Sequence, residues 1–176
     1  MVRTAAWRRG IGAVARVLTG RAGRPRPQAV AGRSGGGLVE GTLPGDHAGP
    51  WTASYSPDLD GAPDPGEVVW TWVPYEDDPR RGKDRPVLLV GRDGRLLLGL
   101  MLTSKDHDRD AADEARHGRR WLDVGTGAWD AQRRPSEVRL DRVLRVDPAR
   151  VRREGAVVDR ALFDQVVAAA SAASTW

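Results

Sequence analysis

The sequence predicts a mainly β domain: a small barrel of short strands, packed by a C-terminal helix and preceded by a disordered extension. Three observations predict it. Short apolar runs separated by Gly, Pro and Asp turn signals recur from Glu67 to Val146. A helical apolar pattern follows Asp159. The composition also changes near residue 62, before which Gly, Pro and Arg dominate. Residues 1–62 are therefore read as a basic Gly/Pro/Arg-rich extension, mostly disordered with a helix over 2–18, and residues 63–176 as the barrel domain.

The elements follow in chain order. Trp7, Ile11, Val14 and Leu18 share one side of the helical pattern at 2–18, with Arg residues opposite. Residues 19–65, with Arg24-Pro25-Arg26-Pro27 and Gly35-Gly36-Gly37, bury too little apolar surface to offset their ordering entropy and read as linker or disorder; Trp51 and Tyr55 could dock on the domain, but nothing requires it. Glu67–Val73 reads as a strand, Val69 and Thr71 on one face and Val68, Trp70 and Trp72 on the other. A charged turn region precedes the strand Val87–Val90. Asp93-Gly94 then suits a type I′ hairpin turn into Leu96–Thr103. A long polar loop, Ser104–Gly118, leads to a strand at Arg119–Val124. Ser136–Val146 reads as the last long strand, with a bulge near Arg142. Asp147-Pro148 opens a turn, and Asp159 caps a terminal helix with Leu162, Val166, Ala169 and Ala170 on its apolar side.

Charge is distributed unevenly. Residues 1–62 hold eight Arg and four acids, whereas residues 63–176 hold 20 basic and 20 acidic residues, so the net +4 lies entirely in the extension. An anion site in the body must therefore be local. With no Cys, disulfides, thiol nucleophiles and Cys-based zinc sites are excluded. No apolar run approaches the roughly 18 residues of a membrane span. Arg16 interrupts Ile11–Leu18, so that stretch reads as no export signal, and the protein is expected to be cytoplasmic with no membrane partner.

The candidate chemistry centres on two strand ends. Pro86 holds residue 85 extended, and the Arg85 guanidinium offers a planar fork suited to phosphate oxygens. Its alternative is a surface arginine paired with Asp84 or a carboxylate of residues 76–78. Thr103 and Ser104 place hydroxyls at a strand end, where they can donate to a phosphate or simply bond to backbone. His107, just beyond, titrates near neutrality and is an accessory proton-transfer candidate with Glu76; Glu67 and water are further options. The acidic loop from Asp106 fails as a calcium loop, having Ala111 at its sixth position and His117 at its twelfth, and no metal or cofactor site is expected. Trp70 and Trp129 can stack bases, with Trp129 expected exposed, and Lys83 and Lys105 can contact phosphates.

Four stretches together resemble the MazF/PemK toxins, small ribonucleases of bacterial toxin–antitoxin pairs. They are Pro65-Gly66-Glu67-Val68-Val69-Trp70, Gly82-Lys83-Asp84-Arg85-Pro86-Val87, Leu102-Thr103-Ser104, and Pro135-Ser136-Glu137-Val138 followed by Leu140-Asp141-Arg142-Val143. The resemblance covers about residues 65–170. It implies an SH3-like barrel of the MazF/CcdB type, a homodimer, a cognate antitoxin partner, and metal-independent cleavage of single-stranded RNA to 2′,3′-cyclic phosphate and 5′-hydroxyl ends. Arg85 matches the family's strand-start arginine, and Thr103 or Ser104 its strand-end hydroxyl. Arg142 stands where members often carry Gln. The competing expectation is a non-catalytic binder on the same fold, either a gyrase-binding toxin of the CcdB type or a degenerate nuclease.

Overall fold

The computed structural model describes residues 44–105 and 111–173; the helix expected over 2–18, the rest of residues 1–43, and His107 lie outside them. The elements are β1 (Glu67–Pro74), β2 (Gly82–Asp93), β3 (Leu96–Thr103), α1 (Ala111–Arg116), β4 (Trp121–Gly125), β5 (Ser136–Arg139), β6 (Leu144–Val146), a 3₁₀ turn (Pro148–Arg150), β7 (Arg153–Val157) and α2 (Arg160–Ala173). The strands form one curled antiparallel sheet, a half-barrel, in the order β4-β5-β3-β2-β1-β7, with β6 also on β3.

The β1-β2-β3 meander is buried on both faces. Val69, Val73, Val87, Leu89, Leu97 and Met101 pack on one face with Leu144 and Val146. Val68, Leu88, Val90, Leu98, Leu100 and Leu102 face the other way, onto Phe163, Val166 and Ala170 of α2. This two-sided burial explains why residues 87–90 and 96–102 are continuously apolar instead of alternating. Each such side chain contributes about 1.5–3 kcal/mol on leaving water. Asp159 caps α2 as the sequence predicts, its Oδ1 accepting from Leu162 N at 3.0 Å.

Several expectations need correction. Asp93 pairs with Leu96, so the hairpin loop is Gly94-Arg95. Only Gly94 has positive φ, 59°, the pattern of a II′ turn rather than the I′ turn expected of Asp-Gly. The strand expected over Ser136–Val146 is two strands: β5 pairs with the end of β3 at Leu102 and Thr103, and β6 with its start at Leu97–Gly99. The irregularity near Arg142 is the break between them, where the sheet curls. The short helix α1 occupies part of the expected polar loop, and β7 adds a strand on β1 that its sequence did not announce.

The largest departure is the segment 44–57, expected to be linker and instead a strap on the half-barrel. Asp46 bridges to Leu144 and Ala53 to Gly91. His47 N donates to Val143 O at 2.8 Å and Ser54 N to Val90 O at 3.0 Å. Trp51, Ala53 and Tyr55 pack on the α2-side core. A Cβ on Gly91 would lie 2.4 Å from the Thr52 carbonyl, so glycine is what lets the strap approach the sheet. The boundary read at residue 62 thus falls beyond a stretch that is already folded.

Candidate functional site

Arg85 lies on β2 opposite Thr71 of β1, at the point where the strand leaves the meander's core. It is half-buried and makes no hydrogen bond or ion pair among the described residues. Its expected surface partner is engaged elsewhere, since Asp84 pairs with Arg152 at 2.8 Å. Burial lowers the Arg85 pKa from its usual range, and the nearby charges of Arg142 and Arg139 add to this while Tyr75 opposes it. It remains a cation at any physiological pH, half-buried and lacking a carboxylate partner among the described residues. Such a group is poised to receive an anion.

Two clefts meet at Arg85. The larger, about 450 Å³, is lined by Arg85, Thr103, Lys105, Glu76, Tyr75, Trp121, Arg139 and Arg142, with Val73 and Met101 in its floor. The smaller, about 180 Å³, is lined by Arg85, Thr103, Ser104, Trp70, Asp84 and Arg134. Arg85 and Thr103 belong to both, so the strand-start arginine and the strand-end hydroxyl do converge. Thr103 Oγ1 accepts from Lys105 N at 3.2 Å, which leaves its own proton to donate. Ser104 is exposed and borders only the smaller cleft.

The family model described as PemK-like, MazF-like toxin of type II toxin–antitoxin system matches residues 64–173. The chain belongs to this family. No curated protein matches it. The matched region runs from just before β1 to the end of α2 and leaves out the strap. Membership in the PemK-like family makes this a toxin-type domain of a class that generally cleaves RNA and acts with an antitoxin partner.

The other sequence-predicted residues scatter. Lys105 is exposed at the larger cleft, whereas Lys83 is exposed but borders neither cleft. Glu76 lies in the larger cleft, bound to Arg139 and 3.8 Å from Arg142. Glu67 is fully buried, accepting from the backbone N–H groups of Asp58 and Asp64, and takes no part in the cleft. Trp70 is half-buried beside the smaller cleft, its Nε1 donating to Trp129 O at 3.0 Å. Trp129 is not the exposed platform expected. The residue is 6% exposed, its ring lies against Gly127 and donates to Ser136 Oγ at 3.2 Å, and it contributes to the lining of the smaller cleft from a buried position. Among the described residues no cluster of His, Asp and Glu is arranged to hold a metal ion. None of their helices is long and apolar enough to cross a membrane.

Sequence reasoning missed the charged wall of the larger cleft. Arg139 and Arg142 are 7% and 8% exposed. Burial works against the Arg139 charge, but the hydrogen bonds it donates to Asp141 and Glu76 outweigh it and raise its pKa. Arg142 donates to Asp46 at 2.8 and 3.0 Å and to the Pro74 carbonyl at 3.0 Å. The available signal was Arg139-x-Asp141-Arg142 beside the apolar positions of Val138, Leu140 and Val143, since charges there must be paired if they are buried. Asp130 and Arg134 form a second pair at 2.7 Å on the rim of the smaller cleft.

Proposed function

We propose that this PemK-like chain is a toxin that cleaves single-stranded RNA without a metal, by attack of the RNA 2′-OH on the adjacent phosphorus. One observation supports this above all. The Arg85 guanidinium, unpaired among the described residues, and the Thr103 hydroxyl share the wall between two adjoining clefts. RNA supplies its own nucleophile, so the protein must place that hydroxyl in line with the leaving 5′ oxygen and stabilise the phosphorane charge. Arg85 stabilises that charge, because a guanidinium is too weak a base to take the proton. Thr103 donates to a non-bridging oxygen, with Ser104 beside it. The proton passes to the Glu76 carboxylate or to water. Trp70 and Lys105 border the path of the strand on either side of the scissile phosphate. The products are a 2′,3′-cyclic phosphate and a 5′-hydroxyl.

The same reading gives the protein a cognate antitoxin and a homodimeric form with the RNA groove across the interface. The edge strands β4 and β7 and the exposed Val157 and Trp72 supply surface for such contacts.

The test is cleavage of a long single-stranded RNA, scored for rate and 3′-end chemistry with and without chelator. Arg85→Ala should slow cleavage on the order of 100- to 1,000-fold, the usual loss for one preorganised donor. Thr103→Val should cost less, since it removes a neutral donor. Chelator should change nothing. Equal rates for wild type and Arg85→Ala, or cleavage abolished by chelator, would overturn this mechanism and favour the binding-module alternative.

A further inference from the structure

Four arginines line the larger cleft, and their charges are handled differently. Arg119 pairs with Glu114 at 3.5 Å. Arg139 is covered by Asp141 and Glu76. Arg142 is covered by Asp46, at 2.8 Å from its Nε, with Glu76 more distant at 3.8 Å. Arg85 has no carboxylate partner among the described residues. Glu76 is thus shared between two buried guanidinium groups, and Asp46 provides the second charge needed to balance Arg142. Asp46 lies on the strap, outside the stretch matched by the family, and is fixed there by its bridge to Leu144 and by the neighbouring His47 N–H on the Val143 carbonyl.

We propose that Asp46 is a positioning residue of the cleavage cleft. It holds the Arg142 guanidinium in the cleft wall and cancels its charge, so that Arg85 is, among the described residues, the uncompensated guanidinium a phosphate meets. The inference rests on the nuclease reading in taking the cleft's ligand to be a phosphodiester. Its physical basis is competition: two uncompensated guanidinium groups in one cleft offer an RNA phosphate two seats, and a strand held at the wrong one is out of line for attack. Productive geometry tolerates little displacement, about 1 Å costing roughly 100-fold.

The experiment uses the full chain and its variants Asp46→Ala, Arg142→Gln and the double variant. Binding of a short mixed-sequence single-stranded DNA is followed by fluorescence anisotropy over a salt series, since the DNA keeps the phosphates and lacks the 2′-OH. Freeing one cation should steepen the slope of log affinity against log salt by about 0.7 for Asp46→Ala. Its kcat on RNA should fall on the order of 10- to 100-fold with KM unchanged or lower. The double variant should return to the wild-type slope.

A purely structural role for Asp46 predicts lower melting temperature with an unchanged slope, and that result overturns the proposal. So does a double variant that keeps the steeper slope. Should Asp46→Ala not fold, Asp46→Asn keeps an acceptor, removes the charge and gives the same slope test. Wild type that binds the DNA but leaves RNA intact defeats only the nuclease reading. Wild type that binds no single strand overturns both.

Discussion

Replacing Tyr55 by Ala tests whether the strap belongs to the folding unit. The Tyr55 ring meets Phe163 of α2 edge-on, 5.0 Å between centroids at 64°. Its hydroxyl donates to the Val158 carbonyl at 2.8 Å, and the Arg160 guanidinium lies 5.3 Å from the ring. The lost hydrogen bond is worth about 1 kcal/mol and the aromatic pair about 1 more. The half-buried ring adds about 1–2 kcal/mol of transfer free energy. The sum, about 3–4 kcal/mol, lies at the lower end of the usual cost of truncating a core aromatic. For a domain of this size it corresponds to a fall in melting temperature of about 10 °C, against about 3 °C for Tyr55→Phe, which removes only the hydroxyl. Thermal unfolding of the full chain, followed by circular dichroism, reads both. A chain beginning at Ala62 lacks the whole strap and should melt lower still or fail to melt cooperatively. If Tyr55→Ala and the Ala62 chain both melt within about 2 °C of the full chain, the strap contributes nothing and the reasoning is wrong.

Two further outcomes are expected. Gly66 has φ 105°, and a Cβ there would lie 2.9 Å from the Tyr55 ring, so Gly66→Ala should cost about 1–3 kcal/mol from backbone strain alone, measured by denaturant unfolding. The Asp130 carboxyl is held at a pKa of about 2, first by the Arg134 side-chain hydrogen bond and then by backbone N–H groups of Gln132 and Arg134. Its folded pKa is depressed, so its contribution is fully present above the ordinary aspartate value near 3.8 and is lost as pH falls from there toward about 2. Asp130→Asn should flatten the stability profile across that window, and a profile parallel to wild type would show that the pair does not stabilise the fold.

Strand positions and the terminal helix were legible because local pattern controls them. Val87–Val90, Leu96–Leu102 and the Asp159 cap each carry a signal set by pleat, burial or backbone capping. Arg85 and Thr103 were legible for a related reason, since each is fixed at a strand end by its neighbours in sequence and the meander brings those ends together. What local pattern does not encode is which distant group a charge meets. The partnership of Arg142 with Asp46 spans 96 residues, and that of Trp70 with the Trp129 carbonyl spans 59. Trp129 read as exposed because it sits in a Gly-rich turn, yet Gly127 gives its ring a surface to lie against and Ser136 a partner for its N–H. The strap read as linker because few of its residues are apolar; Trp51, Ala53 and Tyr55 gain their stabilisation from a core that exists only once the sheet has curled. The sequence by itself therefore determined the meander strands β1–β3, the terminal helix and the two residues at the meeting of the clefts. The tertiary structure decided which arginines are neutralised and that Arg85 has no carboxylate partner among the described residues, because pairing of charges depends on distances that only the folded sheet sets.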